Sequence, residues 1–522
     1  MEVDVIIRGG LRVKRSGKTE STGGGNADGA RAGVSRGHSS RRRNEPGVGA
    51  DGLPVRRMNR RTHPDEGPNR MHESGPASSR SAQTPSGVAE SRCETESPDS
   101  GYDLLEAIVD ASNVSAAWKR VKANRGAPGV DGITIDAFPD RFRALWPELR
   151  EALLAGTYVP APVRRVELAK PDGGVRLLGI PTVLDRLIQQ AIAQILGPIF
   201  DPGFSDHSYG FRPHRSAHDA VRHVADTIKS GRRIAVDLDL SKFFDRVNHD
   251  VLMVRLARKV SDKRVLRLIG RYLRAGVEVN GRRQRTSEGV PQGGPLSPLL
   301  ANVVLDDLDQ ELGKRGHRFA RYADDFVILV KSPRAGERVM ASVRRFLERK
   351  LKLKVNETKS AVVKTNALNF LGFAFKGSRI VWSERSLQRF EHRVRELTSR
   401  SWGVAMKVRI GHLAQYLRGW IGYFGISHTY AKVRHLEHWI RRRLRCCYWK
   451  MWKTRGNRIR QLLRLGVKER DAILHGLSGS GCWAMSKSPT LNQALHNDWF
   501  TVEGLPSLTE RWAHIHYPTT VR

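Results

Sequence analysis

In RYADDFVILV, residues 321–330, a strand-like apolar run from Phe326 to Val330 follows directly on two adjacent acids, Asp324 and Asp325. A second run, Phe319 to Tyr322, ends just before them. Such runs pair as a hairpin, and its turn is where two carboxylates escape burial. The chain must therefore build a sheet with acids at one edge. RRIAVDLDLSKFFDRVNHD, residues 232–250, supplies a further strand. There Ile234, Val236, Leu238 and Leu240 alternate with Ala235, Asp237 and Asp239, so one face is apolar and the other holds both aspartates. Taken singly, each pattern also fits a solvated strand face or an ordinary Asp turn.

Composition divides the rest. Residues 1–100 contain no Phe, Tyr or Trp and abound in Gly, Ser, Arg and Pro, so they cannot bury enough apolar surface to offset ordering entropy. A disordered extension is expected there. From Tyr102 onward apolar residues recur at helical spacing, and the 522-residue length suggests three or four domains of about 150 residues. RRVELAKPDGGVRLLGIPTVLDRLIQQAIAQIL, residues 164–196, reads as two strands turning at PDGG. A helix follows from near Thr182, with Leu187, Ile188 and Ala191 on one side. Lys170 and Arg176 flank the turn, a place where hairpin charges are commonly just solvated. In residues 286–312, TSEGVPQGGPLSPLLANVVLDDLDQEL, a Gly and Pro loop leads into a helix whose first turn follows Ser297 and Pro298.

Lys plus Arg number 90 against 53 acids, a net charge of +37 that calls for an anionic partner, with nucleic acid the first choice. No apolar segment has transmembrane length, so no membrane role is expected. Cys93, Cys446, Cys447 and Cys482 form no CxxC pair, which argues against a zinc ribbon or a disulfide framework and for reduced thiols inside a cell. The first hundred residues hold 13 acids against 17 bases, too many acids for a typical transit peptide.

Two carboxylates at a rigid turn, with a third at the end of a neighbouring strand, make a cluster of hard oxygens suited to Mg²⁺. Two such ions roughly 3.5 to 4 Å apart would stabilise the attacking and leaving oxygens of an in-line phosphoryl displacement. The order of motifs then becomes specific. GAPGVDGITIDAF, KPDGGVRLLGIPTVLDRLIQQA, SYGFRPHRSAHDA, DLDLSKFFD, PQGGPLSP, YADD, LKVNETKS and NFLGFAF follow one another over a region that, with the C-terminal part, runs from about 102 to 515. This series resembles the group II intron-encoded reverse transcriptases. The resemblance implies an α+β right-hand polymerase, with fingers and a ferredoxin-like palm, followed by an α-helical thumb. It implies that Asp239, Asp324 and Asp325 are the catalytic, metal-binding triad for two Mg²⁺ ions, with Mn²⁺ able to substitute. Asp237 and Asp245 are left outside that set. By the same resemblance Lys170 and Arg176 meet the triphosphate of a deoxynucleoside triphosphate, and Phe244 excludes a ribose 2′-hydroxyl. Gln292 lies against the nucleotide, Lys359 contacts nucleic acid or phosphate, and residues 371–373 form the primer grip.

Between Arg389 and Arg470 stand 21 Lys and Arg against four acids, with eleven aromatics interleaved. HWIRRRLRCCYWKMWK reads as a helix burying Ile440, Leu444, Cys447 and Met451, with Arg441, Arg442 and Arg445 outward. Most of the tryptophans are expected in the core rather than as stacking platforms. With QYLRGWIGYFG before it and LLRLGV after it, the segment resembles the maturase, or X, domain that grips intron RNA.

The expected division is an extension at 1–100, fingers and palm at 101–380, thumb and maturase domain at 381–475, and a short segment at 476–522. The last resembles a DNA-binding remnant without an HNH endonuclease. The function implied is RNA-directed DNA synthesis and maturase-assisted splicing and retromobility of a group II intron. Intron RNA, a DNA target and primer, and deoxynucleoside triphosphates are its partners. Two alternatives remain at this point: an RNA-binding splicing chaperone with unused polymerase activity, and a repurposed cellular reverse transcriptase. A bacterial cytoplasm, associated with the nucleoid, is the expected location, with an organelle the lesser choice.

Overall fold

The computed structural model describes residues 103–169 and 174–518. The expectation of disorder over residues 1–100 falls outside them, as does Lys170. Within them a mixed α+β region is followed by an all-helical one.

Strands β1 (Val163–Ala169) and β2 (Val175–Ile180) pair antiparallel, with Leu168 opposite Arg176, while the expected turn at PDGG lies, up to Gly173, outside the described residues. Thr182 then caps the helix Val183–Phe200, its hydroxyl accepting from the backbone of Asp185, and Leu187, Ile188 and Ala191 are buried. β3 (Ile234–Leu238) belongs to the central sheet. β4 (Val277–Val279) and β5 (Arg282–Gln284) extend the first sheet, in the order β2-β1-β4-β5.

The central sheet has the order β6-β7-β3-β8, with β6 (Arg318–Tyr322), β7 (Asp325–Val330) and β8 (Ala361–Lys364), every pair antiparallel. Its two faces follow the alternation in the sequence. Ile234, Val236, Leu238, Phe326, Ile328 and Phe319 pack in a core with the helices Ser297–Lys314 and Pro333–Phe346. Ala235, Val327, Leu329 and Ala320 face a second core, shared with the helix Ala217–Lys229 and the helical C-terminal region.

A small sheet, β9 (Asn369–Phe370), β10 (Phe373–Lys376) and β11 (Arg379–Trp382), precedes the long helices Glu384–Leu397, Met406–Phe424 and Tyr430–Met451. Trp420, Trp449 and Trp452 are buried there, as the sequence suggests. The last of these helices differs from its expected pattern. Ile440, Leu444 and Cys447 are buried, but Met451 is 46% exposed while Arg441 and Arg445 are buried. The C-terminal segment covers the face that the sequence assigns to water. Glu437 pairs with Arg441 at 2.6 Å and accepts from the Thr509 backbone, and Arg445 donates to the Leu495 carbonyl at 2.8 Å. A single-helix periodicity cannot register such a distant layer.

Candidate active site

The carboxylates sit where β3 and the β6–β7 hairpin meet. Tyr322 pairs with Asp325, so the turn is Ala323–Asp324, and Asp325 opens β7. Leu238 lies opposite Phe326 and Asp237 opposite Val327. Asp239, one residue past β3, thus comes level with Asp325, and Asp237, Asp239 and Asp325 share one face of the sheet.

Ala323 takes φ +59°, a left-handed conformation rare for a residue with a Cβ. A buried arginine holds it. Arg321, two residues earlier, donates from Nε to both Asp309 oxygens at 2.9 Å, and from its two terminal nitrogens to Asn302, Ser208 and the Ala323 carbonyl. Both partners of this ion pair are fully buried, and the charges offset each other. The outer edge of β6 is covered as well, because Arg321 exchanges backbone hydrogen bonds with His207 and Tyr209. Gly210 lies so close that a Cβ there would stand 2.3 Å from the Ala323 nitrogen.

The acids themselves are poorly compensated. Burial, with Asp237, Asp324 and Asp239 adding to it, pushes Asp325 up to about 8. Burial likewise lifts Asp324 to about 6, where Asp239 adds and Arg176 opposes. Asp237 also rises to about 6, from burial and then Asp239. Among the described residues Asp324 Oδ2 is buried with no hydrogen-bond partner.

Asp239 is better held. Asn356 donates from its side chain to Asp239 Oδ2 at 2.8 Å and from its backbone to the Asp239 carbonyl at 2.8 Å, while Ser360 Oγ accepts the Asp239 N–H at 3.0 Å. Lys359, taken from the same NETKS segment, is exposed. Asn356 and Ser360 were not legible as partners, since a polar pair in a loop has no periodicity.

The other expected contacts fall into two groups. Arg176 Nε donates to Gln292 Oε1 at 3.1 Å, and Gly179 N–H to the Gln292 carbonyl, so β2 and the PQGG loop are joined. Gly293, at φ +125°, permits this approach, since a Cβ would lie 2.6 Å from the Gly179 carbonyl oxygen. Phe244 is buried edge-on against Phe243, and its carbonyl accepts from Val290 at 2.6 Å, tying the same loop to the turn after Asp239. The 371–373 turn lies on the side of the helical region: the Tyr423 hydroxyl donates to the Leu371 carbonyl at 3.0 Å.

Two family models match this chain: reverse transcriptase (RNA-dependent DNA polymerase) over residues 168–375, and the maturase-specific domain of group II introns over residues 387–466. Protein YkfC of Escherichia coli is 35% identical over 53% of this chain and 82% of its own length. The group II intron-encoded protein LtrA of Lactococcus lactis is 30% identical over 52% of this chain. This chain belongs to the group II intron-encoded reverse transcriptase/maturase family. Reverse transcription, a nucleotidyl transfer with metal-dependent chemistry, and maturase action in intron splicing and mobility are the activities that go with these two domains. Nucleic acid, RNA included, is accordingly the partner class, and among the described residues no helix is long and apolar enough to cross a membrane. The alignment with LtrA spans 56% of that relative.

The expected location needs correction. Other family members that match include the nuclear intron maturase 1, mitochondrial, of Arabidopsis thaliana, 29% identical over 25% of this chain and 26% of its own length, and the mitochondrial protein ymf11 of Marchantia polymorpha. These relatives, named as mitochondrial, overturn the preference for a bacterial cytoplasm over an organelle. The preference rested on the family resemblance, and motifs shared by bacterial and mitochondrial members do not encode a compartment.

Proposed function

We propose that Asp239, Asp324 and Asp325 hold two Mg²⁺ ions and that the cleft they face joins a deoxynucleoside triphosphate to a primer 3′-end on an RNA template. The observation that carries this reading is the buried, unpartnered Asp324 Oδ2 beside acids that raise one another's pKa. Unsatisfied carboxylate oxygens in a protein core are costly unless a cation completes them. Among the described residues no three His, Cys, Asp or Glu side chains form a ready-made metal cage. The donor set nonetheless fits Mg²⁺, which takes one or two carboxylates and fills its shell with water and substrate phosphates. When bound, the ions stabilise the attacking primer oxygen and the leaving pyrophosphate.

The chain's own residues supply the positioning. Asn356 and Ser360 fix Asp239, and the Arg321 network fixes the turn carrying Asp324. Arg176, oriented by Gln292, offers its remaining N–H groups to the triphosphate, with Lys170 as a second cation. Phe244 closes the space beside the ribose, and Lys359 meets the nucleic-acid backbone. Intron RNA and a DNA target and primer are the partners, with the basic face of residues 389–470 tracking phosphates. The division at about residues 100, 380 and 475 belongs to the same proposal, as does a DNA-contacting role for residues 476–522.

The test is primer extension on an RNA template with deoxynucleotides and Mg²⁺, native chain against Asp325→Asn. Extension by the native chain alone is the expected result. If neither chain extends a primer while both bind intron RNA, the polymerase reading is lost and a splicing chaperone takes its place.

A further inference from the structure

Phe211, in the SYGFRP segment, is explained neither by the cores nor by the carboxylates. It is 52% exposed, and its backbone takes φ +61°, where a bulky side chain is strained. Glycine or asparagine would occupy that conformation with less strain, and a polar residue would suit the water.

The flanking residues leave Phe211 no freedom to relax. Gly210 is wedged against the Ala323 backbone, and its carbonyl accepts from Asn302 at 2.9 Å. Arg212 donates to Asp201 Oδ1 at 2.7 Å, to the Ser205 carbonyl at 2.6 Å, to the Ser208 carbonyl at 3.1 Å and to the Asp201 carbonyl at 2.9 Å. Strain that the surroundings enforce this fully, on a half-exposed aromatic, points to a ligand.

The ring's neighbour indicates which ligand. Tyr322 lies 6.4 Å away between centroids, on the carboxylate face of the sheet and two residues before Asp324. Tyr423, within electrostatic range of Tyr322 and Asp325, bonds the Leu371 carbonyl in the 371–373 turn. The two rings thus stand beside the acids on the side of the 371–373 turn, which the family resemblance makes the primer grip.

We propose that Phe211, backed by Tyr322, is a shelf on which the terminal base of the primer stacks. This rests on the polymerase reading above. Stacking needs only a π-face, so the shelf serves any primer sequence.

The experiment compares the full native chain with Phe211→Gly and Phe211→Trp, measuring Tm and the steady-state constants of primer extension on an RNA template with Mg²⁺. Glycine releases the backbone strain, so Tm should hold or rise, while the primer KM should increase on the order of 10-fold. The deoxynucleotide KM should stay near native, and Phe211→Trp should restore primer binding. Native primer KM in Phe211→Gly overturns the shelf. So does a shift confined to the deoxynucleotide KM, or a fall in Tm that tracks the lost activity and is not restored by Trp. A native chain that extends no primer instead removes the polymerase reading itself, a different result from a native chain that extends while Phe211→Gly matches it.

Discussion

The palm and the helical C-terminal region both bury charge, and they treat it in opposite ways. In the helical region each buried guanidinium meets at least one partner, although Nε of Arg409 and of Arg441 makes no hydrogen bond: Arg441 pairs with Glu437, Arg445 caps the Leu495 carbonyl, and Arg409 donates to the carbonyls of Leu397, Ser399 and Trp402. In the palm one such pair, Arg321 with Asp309, sits directly behind a group of acids that lack compensation. Satisfied buried charge is framework, whereas uncompensated buried charge marks the place where something must bind.

The sharpest way to break this contrast is to remove the palm's framework pair. Arg321→Met leaves Asp309 buried without its cation and frees the Ala323 turn. A loss of about 3–5 kcal/mol is expected in denaturant unfolding, enough to abolish folding in a marginal chain. A loss below about 1 kcal/mol would mean that the pair is not what supports the turn.

Next in size is Asp324→Asn. Because its pKa is raised from 3.8 to about 6, ionised Asp324 opposes folding of the metal-free chain by on the order of 3 kcal/mol. Above the ordinary carboxylate range the folded protein keeps protons that the unfolded chain has released, on Asp324 and Asp237 up to about 6 and on Asp325 up to about 8. The metal-free native chain should therefore lose stability as pH rises through that window. Asp324→Asn should flatten the fall, raise Tm at pH 8.5 without metal, and end primer extension. Mg²⁺ should raise the Tm of the native chain and leave the variant nearly unmoved. A native Tm that climbs from pH 5 to pH 8 without metal would contradict the reading.

Arg409→Met probes the other side of the comparison. Arg409 is 2% exposed, and its loss removes a donor from the carbonyls of Leu397, Ser399 and Trp402, the last two of which still accept from the Trp402 and Val404 N–H groups, for about 1–3 kcal/mol by thermal unfolding. No dependence on Mg²⁺ should accompany it. A Tm loss that Mg²⁺ reverses would link this loop to the palm acids and blur the distinction.

What could be read beforehand follows the same line. The strand alternation in IAVDLDL and the apolar runs around ADD fix which face is core, because burial imposes a period of two that hydropathy records. The helix after Thr182 and the acids at the hairpin carried local signals of their own. Arg321, Asn356 and Asp309 did not, since each acts through a partner between 12 and 117 residues away. The helix Tyr430–Met451 misled for a related reason. Its arginines look solvated until the C-terminal segment is seen to cover them, and no windowed pattern reports a layer added fifty residues later.

The smallest predicted effect tests whether such distant partners matter to function. Asn356 supplies one side-chain hydrogen bond to Asp239 Oδ2, while its backbone N–H to the Asp239 carbonyl does not depend on the side chain. Asn356→Ala should therefore lower stability by only about 1 kcal/mol. A freed carboxylate need move only slightly to misplace a reacting group, and slight misplacement can be worth up to about 100-fold in rate. The Mg²⁺ concentration for half-maximal primer extension should accordingly rise in Asn356→Ala, with saturating metal recovering most of the rate. Asn356→Asp should be worse, because it sets a second negative charge against Asp239. If both variants keep the native Mg²⁺ dependence, Asp239 is held adequately by its backbone and by Ser360, and Asn356 belongs with the paired, structural groups of the helical region rather than with the site.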